Sequence, residues 1–290
     1  MRAVTIVAPG PLSTIQDLGR PGYQHLGVPR SGAADRSAMT LANRLVGNAE
    51  GAPTIESTLG GLVFRCDTDI LIAVTGALTD VVVNGVAVGV NTAVVAHAGS
   101  EVSVGTPSQG CRNYVALRGG IAASPTLGSC STDTLSGTGP DPLSAGDVLD
   151  VGGEFGPWPA TLVAPTDNRA RPVVELETYP GPRAPRLVAP NNLFAGTWEV
   201  TPASNRVGVR LRRPDDDSSP TLRHRDDLAE LLSEGVAHGS IQVPPAGEPV
   251  IFLADHPVTG GYPVVAVLSA PAVSGAAQLV AGNRVRFRSA

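Results

Sequence analysis

The sequence predicts a mainly β protein in two lobes with few short helices. Three observations carry this. Short runs rich in Val, Ile and Thr alternate apolar with polar residues, the period of a half-buried strand. The chain holds 34 Gly and 26 Pro, which interrupt it at close intervals. A Pro- and Gly-rich stretch from Gly152 to Arg171 then reads as a linker, with a boundary near Pro165 that gives lobes 1–165 and 166–290.

In order, Arg2–Ala8 is a strand stopped by Pro9-Gly10. From Ser13 the chain becomes a glycine-rich loop carrying Gln16, Asp17, Arg20, Tyr23, His25 and Arg30. Near Ala34 helical spacing begins at Met39, Leu41, Ala42 and Leu45, with Asp35 near the start and Gly47-Asn48 as the stop. Such a loop and helix either bind an anion at the free helical N–H groups or form a rigid connector whose polar groups satisfy one another. Glu56 falls in the next strand, where an inward carboxylate needs a partner such as Arg20 or Arg36 and an outward one is solvated. Ile70 to Val104 reads as short strands and turns, with Asn84-Gly85 a two-residue hairpin turn. His97 sits on an alternating strand and receives no role.

Cys111–Ile121 is a strand ending in Arg118-Gly119-Gly120, where a guanidinium beside unhindered backbone can hold a carboxylate or phosphate; a bulge with an exposed arginine is the plainer reading. Ser129, Ser131, Thr132 and Asp133 cluster hydroxyls around one carboxylate, which suits oxyanion recognition or an ordinary turn cap. Val148–Val151 is a closing strand. In the second lobe, Arg206 and Arg210 lie four apart in a strand-like run, on one face, where two guanidinium groups form an anion site. Asp255 precedes Thr259-Gly260-Gly261-Tyr262, a hydroxyl beside open backbone N–H groups, and Asn283–Phe287 is the last strand.

Composition narrows the chemistry. All 21 cationic residues are arginine, so no lysine of this chain forms a Schiff base or a phosphate-loop contact. A net charge of −5 and the absence of a basic stripe with aromatics argue against nucleic acid. No apolar run approaches the ~20 residues of a membrane span, and the N-terminal run does not read as a signal peptide. Cys66, Cys111 and Cys130 are widely spaced, which fits a reducing cytoplasm better than a disulfide framework or zinc site.

Several runs, in order, resemble the family of 5-oxoprolinase C subunits, also called allophanate hydrolase subunit 2 or the biotin-dependent carboxyltransferase family. Thr14, Gln16, Asp17, Gly19 and Arg20 fit its opening, and Ala42-Asn43-Arg44-Leu45-Val46-Gly47-Asn48 its first helix. Ile55-Glu56-Ser57-Thr58-Leu59-Gly60-Gly61, Tyr114 to Ile121 and Leu127 to Asp133 follow. Phe194 to Leu211 and Ser233 to Pro263, with Gln242, Asp255 and Thr259 to Tyr262, complete the match. Arg183, Val258 and Val264 depart from the pattern, the last standing where a Lys or Arg is usual.

The resemblance implies a cyclophilin-like β-barrel architecture in two lobes. It implies a component that works with a B subunit (allophanate hydrolase subunit 1, or a KipI-like protein) and an A subunit (LamB/YcsF-like). The leading expectation is an ATP-using 5-oxoprolinase component, with Mg2+, that activates 5-oxoproline by phosphorylation before ring opening to glutamate. In that scheme Asp133, Asp255 and Arg118 are catalytic. Gln16, Asp17, Arg20, Glu56, Ser129, Ser131, Thr132, Arg206, Arg210, Gln242, Thr259, Gly260, Gly261 and Tyr262 bind substrate or anions, and no metal ligands are assigned. The alternatives are carboxyl transfer from biotin carried by a partner, in urea or amide metabolism, and a non-enzymatic antagonist that binds a KipI-type protein.

Overall fold

Strands that are apolar on one face are stable only when that face is covered, and this chain covers its strands in two ways. The computed structural model describes residues 2–153, 155–169 and 171–290. Two units result, Met1–Arg20 with Ser31–Ala170, and Pro21–Arg30 with Arg171–Ala290.

The first unit stacks two antiparallel sheets and a helix. Its strands are β1 (Ala3–Pro9), β2 (Leu12–Gln16), β3 (Thr54–Thr58), β4 (Leu62–Cys66), β5 (Ile70–Leu78) and β6 (Val81–Val83). They continue as β7 (Val86–Ala87), β8 (Thr92–Ala96), β9 (Glu101–Val104), β10 (Gln109–Leu117) and β11 (Val148–Asp150). One sheet runs β11-β1-β4-β9-β6-β7 and the other β2-β3-β10-β5-β8. Ile6, Phe64 and Val102 of the first meet Ile55, Ile72 and Val115 of the second in one core. The outer face of the second sheet, through Leu71, Ala73, Tyr114 and Ala116, is covered by Met39, Ala42 and Leu45 of helix α1 (Arg36–Leu45). Burying Met39 and Leu45 contributes roughly 1.5–3 kcal/mol each. β10 is therefore covered on both faces, and its buried residues run without alternation.

Asp35 caps α1: its Oδ1 accepts from the Ala38 N–H at 3.0 Å. The hairpin expected at Asn84-Gly85 joins β6 to β7, with φ of 49° and 80° at its two central residues. His97 departs from expectation, because it follows β8 in a turn. There it is exposed, with Nδ1 3.1 Å from Asp69 Oδ2.

The second unit is a closed barrel of β12 (Val173–Pro180), β13 (Trp198–Val200), β14 (Gly208–Arg212), β16 (Ser240–Gln242), β17 (Val250–Phe252), β19 (Val264–Leu268) and β20 (Arg284–Ser289). Its order is β12-β19-β16-β17-β14-β13-β20, and β20 closes it by running parallel to β12. Leu176, Trp198, Val209, Ile241, Ile251 and Phe287 are buried. A two-stranded ribbon, β15 (Glu234–Gly235) with β18 (Thr259–Gly260), stands outside the barrel, and a short helix α2 (Ala270–Ala276) packs on β12. Among the described residues no helix is long and apolar enough to cross a membrane.

Candidate functional site

The T-G-G-Y-P turn borders a cavity of about 180 Å3 on the second unit. Gly261, Tyr262 and Pro263 form one wall, and Arg186 enters from the 3-10 turn Ala184–Arg186. The loop after Leu222 supplies His224 and Arg225 together with apolar Leu228 and Leu231. Pro245 and Glu230 complete the rim.

Each wall is tied in place. Gln242 Nε2 donates to the Tyr262 carbonyl at 2.9 Å, and a Cβ on Gly260 would lie 2.5 Å from that same nitrogen, so a larger residue there would displace the Gln242 amide. The ribbon pairs Glu234 with Gly260 and Gly235 with Thr259. Arg183 grips Glu234, with Nη2 2.7 Å from Oε2 and Nε 3.1 Å from Oε1, and this contact holds the Glu234 carboxyl below its ordinary value. Both Arg186 terminal nitrogens donate to the Ala229 carbonyl, which fastens the loop. His224 Nε2 lies 2.8 Å from the Val243 carbonyl; a carbonyl only accepts, so Nε2 carries a proton. Arg225 pairs with Asp227 through Nε at 2.9 Å and Nη2 at 2.5 Å, which lowers the Asp227 pKa. The result is a small, half-apolar cavity lined by two guanidinium groups, an imidazole and a phenol.

Gln242, Gly260, Gly261, Thr259 and Tyr262 are thus brought together. Arg206 and Asp255 take another place: they face each other in the interior, Nε to Oδ2 at 2.8 Å and Nη2 to Oδ1 at 2.9 Å. The anion holder and the base are each other's partner. Nor do Arg206 and Arg210 share a face. A turn at Asn205–Gly208 precedes β14, which resets the alternation and leaves Arg206 buried and Arg210 exposed.

In the first unit the opening loop meets the Ser129–Asp133 loop. Asp17 Oδ1 accepts from Gly19 N at 2.7 Å, Ser129 Oγ at 2.6 Å and Ser131 Oγ at 2.5 Å, while Oδ2 accepts from Cys130 N at 2.7 Å. That carboxylate orders both loops. Arg20 is fully buried and donates through Nη2 to the Ser131 carbonyl. Gln16 Nε2 donates to the Thr132 carbonyl at 2.8 Å. Asp133 Oδ1 accepts from Leu135 N and Ser136 N, the turn-cap arrangement. Four buried atoms of these residues have no hydrogen-bond partner: Gln16 Oε1, Arg20 Nη1, Thr132 Oγ1 and Asp133 Oδ2.

Two further expectations find structural partners. Arg118 donates to the carbonyls of Val46 at 2.6 Å, Gly156 at 2.8 Å and Pro157 at 3.4 Å, and lies over the rings of Phe155 and Trp158. Its fork clamps loops. Glu56 is buried and accepts from Tyr114 Oη at 2.7 Å and Ala34 N at 3.0 Å, with Arg112 Nε at 3.6 Å supplying a cation there. Tyr114 also accepts from Asp35 N, so the start of α1 is tied to the sheet as a rigid connector. Burial and the Glu56 charge push the Tyr114 phenol well above its usual pKa.

Sequence reasoning passed over Arg186, His224 and Arg225. The one available signal was T-L-R-H-R, two cations flanking an imidazole, but it lies in a run of alternating charge that reads as surface. Among the described residues no group of three or more His, Cys, Asp or Glu is placed to hold a metal ion.

A closed seven-stranded barrel and a two-sheet unit, with a glycine turn at a small cavity of the barrel unit, define a mainly β protein of two units. The chain belongs to the family described as carboxyltransferase domain, subdomain A and B, whose profile matches residues 26–289. It is 34% identical to the C subunit of the 5-oxoprolinase of Escherichia coli (strain K12), over 97% of this chain and 89% of that protein. It is 33% identical to the urea amidolyase of Lachancea kluyveri, over 98% of this chain but 17% of that protein. Among solved structures, TTHA0988 superposes with a TM-score of 0.87 at 32% identity, covering 100% of this chain and 56% of that one. The Kluyveromyces lactis urea carboxylase superposes with a TM-score of 0.87 at 30% identity, covering 98% of this chain and 27% of that one.

Proposed function

We propose that this chain is the C subunit of a 5-oxoprolinase-type complex, and that it binds the substrate for a reaction completed with a B subunit. The observation that carries this reading is mutual coverage. The Escherichia coli C subunit is matched over most of both lengths, whereas the urea amidolyase match takes in a small part of a much longer protein. The binding role falls to the tied walls around Tyr262, and Asp133 Oδ2 is the buried carboxylate oxygen still open to a hydrogen bond.

ATP and Mg2+, which the family resemblance implies, do not fit the residues of this chain alone. The cavity is below the ~300 Å3 at which pockets for larger ligands begin. No carboxylate group of metal-binding density accompanies it among the described residues. In this reading a partner protein supplies most of the nucleotide's contacts.

The test is ADP release by this chain, alone and mixed with the B subunit, with and without 5-oxoproline. Release that needs both partner and 5-oxoproline supports the reading. A demonstrably formed complex that releases none overturns it. A second reading, carboxyl transfer from biotin on a partner, rests on the family's description and predicts product formation that avidin abolishes.

A further inference from the structure

We infer that Asn84-Gly85, the two-residue turn between β6 and β7, is a site of spontaneous deamidation that the fold holds shut through Ser100. Asn84 is the one asparagine of the chain followed by glycine. Glycine has no Cβ to shield its own amide, so an asparagine before it closes on that amide more readily than one before a larger residue. Both residues are exposed, and they take left-handed φ of 49° and 80°. The space beside Gly85 is open: a Cβ built there meets nothing within 4 Å. Its N–H, the nucleophile of the reaction, donates to no protein acceptor among the described residues.

The reaction needs no group beyond this pair and water. The Gly85 nitrogen loses its proton to solvent and bonds to Asn84 Cγ. The Cγ–Nδ2 bond breaks, and Nδ2 leaves as ammonia with a proton from water. Water then opens the cyclic imide at either carbonyl, leaving aspartate or isoaspartate. One water is consumed, one ammonia is released, and nothing is oxidised or reduced.

The folded turn opposes the first step. Asn84 Nδ2 donates to Ser100 Oγ at 2.9 Å, and Oδ1 accepts from Glu101 N at 2.9 Å. The Asn84 N–H donates to the Glu101 carbonyl, also at 2.9 Å, so backbone and side chain are tied to one residue. Ser100 is buried and is itself fixed by its N–H on the His97 carbonyl at 2.9 Å. The Asn84 amide is thus held against the start of β9 and must leave both partners before Cγ reaches the Gly85 nitrogen. Conversion would damage the sheet: isoaspartate adds a methylene to the backbone of a turn whose two-residue length sets Val83 opposite Val86.

The experiment is prolonged incubation of the full chain in mildly alkaline buffer, native and in denaturant, with peptide mapping of aspartate and isoaspartate at positions 84 and 168. Asn168, exposed and followed by arginine, is the internal control. In denaturant, position 84 should convert faster than position 168, and at least about tenfold faster than in the native chain, because both side-chain hydrogen bonds are gone. Native Ser100→Ala, which loses one of the two bonds, should convert about two- to tenfold faster than the native parent. Equal rates at position 84 in native and denatured parent overturn the inference, as does a denatured chain in which position 84 is no faster than position 168. A folded Ser100→Ala chain that converts at the parental rate or slower overturns it too, since the hydroxyl would then be idle or would help ammonia leave. The native-to-denatured ratio of the parent decides the question even where the variant does not fold.

Discussion

Arg206 and Asp255 meet as a two-point ion pair inside the second unit, at 2% and 0% side-chain exposure. Removing one partner strands the other charge away from water. Asp255→Ala should cost about 3–5 kcal/mol in urea denaturation of the full chain. Lost activity in this variant should then track lost fold. A folded, fully stable Asp255→Ala chain whose complex no longer turns over would make Asp255 a base after all.

Tyr114→Phe removes a hydroxyl that donates to Glu56 and accepts from Asp35 N, both buried. A loss of about 1–3 kcal/mol is expected, because two polar groups lose a partner at once. Amide exchange should localise the loosening to the start of α1. Unchanged protection there would mean that Glu56 holds the connector without the phenol.

Much of this fold was legible because local rules and burial agree. The α1 stop at Gly47, the Asn84-Gly85 turn and the strand at Thr54–Thr58 lie where side-chain type dictates backbone. Partner choice was not legible. Arg112 rather than Arg20 faces Glu56 because β10 pairs with β3 in a register that sets Tyr114 opposite Glu56, a fact of long-range pairing. A strand period carried from Arg206 to Arg210 predicts one face for both, and the turn at Asn205–Gly208 breaks it. The cavity is not legible in the sequence because Arg186, His224 and Gly261 are far apart in it and meet only where the barrel's loops converge.

Arg118 holds three carbonyls in one fork, which a lysine ammonium cannot reproduce with the same planarity. Arg118→Lys should therefore free the segment around Gly156–Trp158, seen as faster limited proteolysis there, with ADP release retained. Abolished release at unchanged proteolysis would point to a direct role in turnover.

The three cysteines are free and buried. Burial, with the nearby Asp67 charge, pushes the Cys66 thiol up to about 11, and burial raises Cys111 and Cys130 as well. At pH 8 a thiol reagent should label none of them quickly in the native chain and all three in denaturant. Rapid native labelling of Cys66 would contradict this packing.

Arg183 depresses the pKa of Glu234, so the folded group binds its proton less readily than the unfolded one. The contact supports the ribbon above the ordinary glutamate range and is lost as pH falls below about 4. Protection of the Val236 amide, which donates to the Val258 carbonyl at 3.0 Å, should fall on that acid side, and Glu234→Gln should reproduce the loss at neutral pH. A pH-independent ribbon would show that the Gln242 tie suffices.

The parallel pairing of β12 with β20 joins Val173 to Arg284, strands at opposite ends of the barrel's sequence. On the ribosome, β12 is made early and waits, its edge unpaired, until β20 has cleared the exit tunnel. Non-local closure of this kind is slow, and an open edge recruits other strands. The second unit therefore depends on the pace of translation and on chaperones that shield nascent strands.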